Sequence, residues 1–183
     1  LIDSGAEYQC YASDITRTFP ANGKFSKAQR DIYNLVLSAQ SAAINEIKPG
    51  KHWNEPHDAA VRVLTEGMVE LGILKGDPEK LIKDDDYTKY YMHRTGHWLG
   101  MDVHDVGDYK LDGEWRMLEA GMVMTVEPGL YLPANSESLP NQWRNIGVRI
   151  EDDVLVTKDG YDILSKDAPK VVDEIEELMA NAG

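Results

Sequence analysis

Apolar residues recur at helical spacing at Ala28, Ile32, Leu35, Val36, Ala39 and Ala43, which predicts an amphipathic helix. Ser26, with Gln29 three residues on, supplies a capping box, and Pro49-Gly50 marks the end. A second helix is predicted from near Asn54, with Pro56 in its first turn and Gly72 as its stop. Ala60, Val63, Leu64, Gly67, Met68 and Leu71 form its apolar face. The two helices read as scaffold over a sheet, and His52 and His57, which flank the start of the second, as solvent-exposed. Elsewhere the pattern turns to strands. Residues 1–11 alternate loosely and 8–15 carry aromatic and apolar strand formers, so a hairpin or meander bearing Asp3 and Asp14 is expected. Residues 121–126 form a nearly continuous apolar run, hence a buried strand ending at Glu127 and a Pro128-Gly129 turn. Residues 147–156 predict a further strand, 158–161 a tight turn back, and 167–179 a closing helix with Pro169 at its start.

The segments between are polar. Asp84, Asp85 and Asp86 lack the alternating oxygen ligands and central glycine of a calcium loop and read as a solvated turn or helix end. Residues 108–119 suit a loop at the mouth of a site, and 16–24 and 132–145 are turns or loops.

A chain of 183 residues is long enough for one domain with a hydrophobic core. With 19 Lys and Arg against 32 Asp and Glu, its net charge of −13 would repel nucleic acid and anionic lipid, so neither is expected as a partner. No apolar run approaches membrane-spanning length. Cys10 is the single cysteine and cannot form an internal disulfide, which fits a reducing, cytoplasmic location. Leu1-Ile2-Asp3 reads as the middle of a strand, so the chain is expected to be a fragment.

The chemistry gathers at residues 91–105, which hold three of the five histidines. Four acids sit awkwardly in strands: Asp3, Asp14, Glu127 and Glu151. With His97 they make a donor set suited to two divalent cations such as Mn2+. Spacing alone leaves open a plain scatter of edge-strand acids and idle histidines.

Four stretches carry a resemblance: Asp3-Ser4-Gly5 with Asp14-Ile15-Thr16-Arg17-Thr18-Phe19; Gly96-His97-Trp98-Leu99-Gly100-Met101-Asp102-Val103-His104-Asp105; Thr125-Val126-Glu127-Pro128-Gly129-Leu130-Tyr131; and Gly147-Val148-Arg149-Ile150-Glu151-Asp152. Together the sequence resembles the metallopeptidases of the pita-bread fold (family M24), most closely bacterial-type aminopeptidase P. The resemblance implies an α+β fold, a curved antiparallel sheet covered by helices, with residues 1–183 as a C-terminal catalytic domain lacking its N-terminal part. It implies two ions, usually Mn2+, held by Asp3, Asp14, His97, Glu127 and Glu151, with Asp14 and Glu151 bridging. A hydroxide bridging the metals would attack the carbonyl of an N-terminal Xaa-Pro bond, and Glu127 would handle its proton. His104 would donate to the developing oxyanion and His93 would lie toward the proline nitrogen. Arg149 and Tyr131 would steady charge around the site, Tyr131 facing substrate. Trp98 would line the proline pocket, or else be an ordinary core tryptophan. Substrates would be peptides with proline second, and the full-length protein a homo-oligomer. Arg94 stands where the family varies and has no assigned role. Prolidase, which needs a basic group for the free carboxylate beside proline, is the nearest alternative. Methionine aminopeptidase fits the motifs less well, creatinase-like members lack the ligands, and a non-catalytic binding module is a rival of another class.

Overall fold

A computed structural model describes residues 1–181; the last two residues of the expected 1–183 domain lie outside the described residues. Helix α1 (Lys27–Asn45) starts at the expected capping box, with Ser26 accepting from the Gln29 N–H at 3.3 Å and Gln29 accepting from the Ser26 N–H at 2.8 Å. Helix α2 (Glu55–Glu70) begins with Pro56 in its first turn, and Gly72, at φ +70°, follows its C-cap Leu71. The two helices approach closely at Gly67, where an added Cβ would lie 2.2 Å from Leu35. Ile32, Val36, Ala39 and Ala43 of α1 and Ala60, Leu64 and Met68 of α2 are fully buried in one core, joined by Val126, Leu130 and Val154 from the strands. Burying each Val or Leu in this way contributes roughly 1.5–3 kcal/mol.

Strand β1 (Ile2–Ser4) pairs antiparallel with β2 (Ile15–Arg17), Asp3 opposite Thr16. A short helix α3 (Pro78–Lys83) follows α2, and its C-terminal end carries Asp84 and Asp85 into solvent as expected. Residues 108–119 contain a small hairpin, β3 (Lys110–Leu111) with β4 (Glu114–Trp115). Strands β5 (Val123–Val126), β8 (Asp152–Val156) and β9 (Tyr161–Ile163) form one antiparallel sheet in the order β5-β8-β9. Strands β6 (Gly129–Leu132) and β7 (Ile146–Arg149) pair separately, and α4 (Val172–Asn181) ends the described chain.

Several sequence expectations are corrected. Residues 8–15 are not a strand: Tyr8 and Tyr11 exchange backbone hydrogen bonds of 3.0 Å around Gln9 and Cys10, both at positive φ. Asp14 therefore precedes a strand rather than lying within one. Pro128-Gly129 does not turn the chain back; the strand breaks and resumes as β6. Likewise 147–156 splits into β7 and β8, with Ile150 and Glu151 at the break. In both cases the apolar run hides a change of partner, since periodicity reports burial and not which strand is adjacent. Pro169 lies three residues ahead of α4 rather than at its start. His57 is buried at 7% exposure, whereas His52 is exposed as expected.

The breaks are fixed by a buried ion network. Asp152, fully buried, takes Arg17 at 2.8 Å, Lys170 at 2.5 Å and the Ser165 hydroxyl at 2.6 Å. The same Arg17 guanidinium donates to the Glu151 carbonyl at 2.6 Å. The main chain at Glu151 is thereby held to β2.

Candidate metal centre

Three pairs of backbone segments bring the acids and histidines together. Glu151 N–H donates to the Thr16 carbonyl at 3.1 Å, and the Thr16 hydroxyl donates to Glu151 Oε2 at 2.6 Å. Since Asp3 lies opposite Thr16, β1, β2 and Glu151 converge. Asp14 is placed by its N–H, which donates to both carboxylate oxygens of Asp153 at 3.3 and 3.1 Å. Residues 95–97 run alongside β5: Thr125 N–H donates to His97 O at 3.0 Å and Glu127 N–H to Thr95 O at 2.7 Å. Gly96 permits that approach, because a Cβ there would sit 2.0 Å from the Thr125 carbonyl oxygen.

His97 Nδ1 lies 2.9 Å from the Trp98 carbonyl, which can only accept, so Nδ1 carries the proton. The lone pair on Nε2 then faces Asp14 Oδ2 at 3.4 Å and Glu127 Oε1 at 3.7 Å. Potential ligand atoms fall into overlapping triads, each within 4.8 Å: Asp3, Asp14 and Glu151; His97, Glu127 and Glu151; and Asp14, His97 and His104. The first two triads contain all five expected ligands and share Glu151. The third adds His104, whose ring centroid is 4.2 Å from that of His97.

Electrostatics strain the cluster as it stands. Burial, then hydrogen bonding to Asp3, pushes Asp14 up to about 6. Burial raises Glu127 to about 7, and burial with the Glu127 charge raises Glu151 to about 8. Carboxylates crowded in this way resist ionising together unless cations accompany them. The donor set, four carboxylates and one neutral imidazole, is of the hard-to-borderline type that divalent cations take. The residues fit a divalent metal site.

Around them, Arg149 donates to Asp3 and, through Nε at 3.2 Å, to the Thr16 hydroxyl; the same Nε lies 3.9 Å from Glu127 Oε2. His93 places Nδ1 2.8 Å from the Arg94 carbonyl and Nε2 2.8 Å from the Tyr131 hydroxyl, and burial lowers its pKa. A cavity of about 920 Å³ opens here, with His93, His97, His104, Glu127 and Arg149 in its lining. Trp53, Tyr109, Trp115, Arg94 and Lys110 line it too.

Trp98 is not on the cavity wall. It is buried behind it, with its ring 4.0 Å from that of Trp53 and Gly107 crossing so closely that a Cβ there would lie 2.5 Å away. The lining position expected of Trp98 belongs to Trp53. Tyr131 also stands outside the wall and reaches the site through His93. Two features escaped the sequence: the grip of Asp153 on Asp14, and a buried chain in which Thr95 Oγ1 meets His57 Nδ1 at 2.8 Å and the Tyr91 hydroxyl at 2.5 Å. Burial drives His57 down to about 3, so it is neutral. A histidine at a helix start gives no sign of burial until its partner on a distant loop is known.

A pita-bread arrangement of helices over antiparallel strands, with a carboxylate-rich site open to a cavity, defines a metallopeptidase. The chain matches metallopeptidase family M24 over residues 1–158 and belongs to that family. It is 53% identical over 179 residues to the Xaa-Pro aminopeptidase of Haemophilus influenzae, covering 98% of this chain and 41% of that protein. With the Xaa-Pro aminopeptidase of Escherichia coli it shares 50% over 182 residues, covering 100% of this chain and 41% of the relative. The solved Pseudomonas aeruginosa aminopeptidase PepP superposes with a TM-score of 0.97 at 60% identity, covering 98% of this chain and 41% of that one. The chain thus spans about 41% of the length of these relatives. Among the described residues no helix is long and apolar enough to cross a membrane.

Proposed function

We propose that this chain is the C-terminal catalytic part of an Xaa-Pro aminopeptidase that binds two divalent cations, Mn2+, through Asp3, Asp14, His97, Glu127 and Glu151. The observation that carries the proposal is the pair of ligand triads sharing Glu151, two of whose members, His97 and Glu127, line a cavity of about 920 Å³. The names of the relatives from Haemophilus influenzae and Escherichia coli support it. Cytoplasmic location and homo-oligomeric assembly of the full-length protein belong to the same proposal.

When bound, the cations supply an acidified water and polarise the scissile carbonyl. Glu127, raised to about 7 by burial, is suited to take the proton of the attacking water and pass it on near neutral pH. His104, whose ring centroid lies 4.2 Å from that of His97, donates to the carbonyl oxygen as it gains negative charge, an interaction worth about 10²–10³ in rate. His93 lies toward the leaving proline nitrogen, its ring oriented by the Arg94 carbonyl and the Tyr131 hydroxyl. Arg149 holds Asp3 in place. An Xaa-Pro bond has no amide hydrogen and a fixed proline φ, so an apolar wall such as Trp53 and Tyr109 offers shape where hydrogen bonding cannot.

The test uses the full-length protein with added Mn2+, comparing release of the first residue from an Xaa-Pro-Pro peptide and from an Xaa-Pro dipeptide. Cleavage of the longer peptide, lost in Asp14→Ala and Glu151→Ala, is expected. Cleavage of the dipeptide alone would assign prolidase activity instead, and cleavage of neither would favour a binding module.

A further inference from the structure

We propose that Arg94 and Lys110, both set against the Trp115 ring, bind the free C-terminal carboxylate of a short peptide, so that the enzyme prefers Xaa-Pro-Y tripeptides with an unblocked end. The proposal rests on the aminopeptidase function above and names its substrate class.

The two cations come from different elements. Lys110 and Trp115 face each other across the β3/β4 hairpin, and Lys110 Nζ lies 4.3 Å from the Trp115 ring centroid. Arg94, on the loop between Tyr91 and His97, brings its Cζ to 5.0 Å from the same ring. The Asn54 side chain tethers Arg94 through one of its five N–H donors, leaving the others to a ligand. Stacking on an aromatic face orients a guanidinium without neutralising it.

Neither cation forms an ion pair among the described residues. Among the described residues, no carboxylate lies within ion-pair distance of Arg94 or Lys110, although acids outnumber bases by 32 to 19. Asp108 lines the same cavity but pairs with neither. By contrast Arg149, the third basic side chain lining the cavity, is engaged by Asp3.

The cavity is consequently polarised. Of the clustered acids Asp3, Asp14, Glu127 and Glu151, Glu127 reaches the cavity lining, and Arg94 and Lys110, which gather at Trp115, form no ion pair with any of the four among the described residues. A short peptide at neutral pH has an ammonium at one end and a carboxylate at the other, and matches that field in one direction only. Its amino end belongs with the acids and its carboxylate with the cations. In a chain of net charge −13, a free carboxylate would otherwise be repelled. A cavity of about 920 Å³ accommodates a tripeptide.

The experiment measures kcat and KM of the full-length, Mn2+-loaded enzyme on an Xaa-Pro-Ala peptide and on its C-terminal amide, at low and high salt. The expected result is a preference for the acid of about tenfold, expressed in KM and reduced by salt. Arg94→Gln and Lys110→Gln, both at the surface, should each bring the acid-to-amide ratio toward one, and Asp108→Asn should raise it. Equal cleavage of acid and amide, or a ratio unchanged in both glutamine variants, would overturn the inference while leaving the aminopeptidase function in place. Cleavage of neither tripeptide form would remove both.

Discussion

Replacing Glu151 by glutamine should stabilise the metal-free protein at alkaline pH and destabilise the metal-loaded one. Glu151 is 1% exposed, and its carboxyl is raised from 4.5 to about 8 by burial and by the neighbouring Glu127. A group whose folded pKa is raised contributes full stability below its unfolded value, and that contribution is lost as pH rises through the folded value. For Glu151 the window runs from about 4.5 to about 8. At 1.36 kcal/mol per unit the complete shift corresponds to about 4–5 kcal/mol, and sharing of charge with Glu127 and Asp14 reduces the measurable part to about 2–4 kcal/mol. Glutamine keeps an oxygen to accept the Thr16 hydroxyl, now at 2.6 Å from Glu151, so the substitution removes charge with little loss of contact. Urea denaturation of chelator-treated wild type and Glu151→Gln should therefore differ by less than about 1 kcal/mol at pH 5 and by about 2–4 kcal/mol, the variant being more stable, at pH 8.5. The acid-side instability from His57 is common to both proteins and cancels. With Mn2+ at a hundred times its Kd, wild type should gain about 2.7 kcal/mol that the variant largely forgoes. A variant that is less stable than wild type at pH 8.5 without metal would refute the reasoning, because it would show that the buried acids are not in electrostatic conflict.

Three further outcomes are expected. Thr95→Val removes the hydroxyl joining His57 and Tyr91 and leaves two buried polar groups unpartnered, costing roughly 2–4 kcal/mol by denaturation at unchanged m-value. His104→Ala should keep its metal content while kcat falls about 10²–10³, whereas His97→Ala should lose metal measured by elemental analysis; loss of metal in both would make His104 a ligand. Asp152→Asn strands Arg17 and Lys170 in a buried network, lowering stability by about 3–5 kcal/mol and loosening Glu151, read as weaker metal affinity.

What the sequence disclosed was local in character. The start of α1 at Ser26 and the buried faces of α1 and α2 follow from spacing and capping, which need no knowledge of distant partners. Four of the five expected ligands, Asp3, Asp14, Glu127 and Glu151, stand out because acids in or beside apolar runs have a reason to be there, and His97 because it lies in the histidine-rich stretch. Partnership across the chain was hidden. The run at 147–156 is uniformly strand-like, yet Arg149 and Asp152 belong to different sheets, because Glu151 is pulled aside by Thr16 and Arg17. Trp98 and Trp53 could not be told apart by type. Only the passage of Gly107 over Trp98 decides which ring faces the cavity. His57 was misjudged for the same reason, since its burial depends on Thr95, 38 positions away. The segment around Gln9 and Cys10 has strand composition, but its positive φ angles belong to the tight turn that the Tyr8–Tyr11 hydrogen bonds close.

The central claim is that Asp3, Asp14, His97, Glu127 and Glu151 form one centre for two cations. Calorimetric titration of Mn2+ into the chelator-treated protein, repeated on Asp14→Ala, tests it most directly. Two ions per chain in the unaltered protein, with fewer and weaker ions in the variant, is the predicted result. A single ion per chain, or binding that Asp14→Ala leaves untouched, would contradict it.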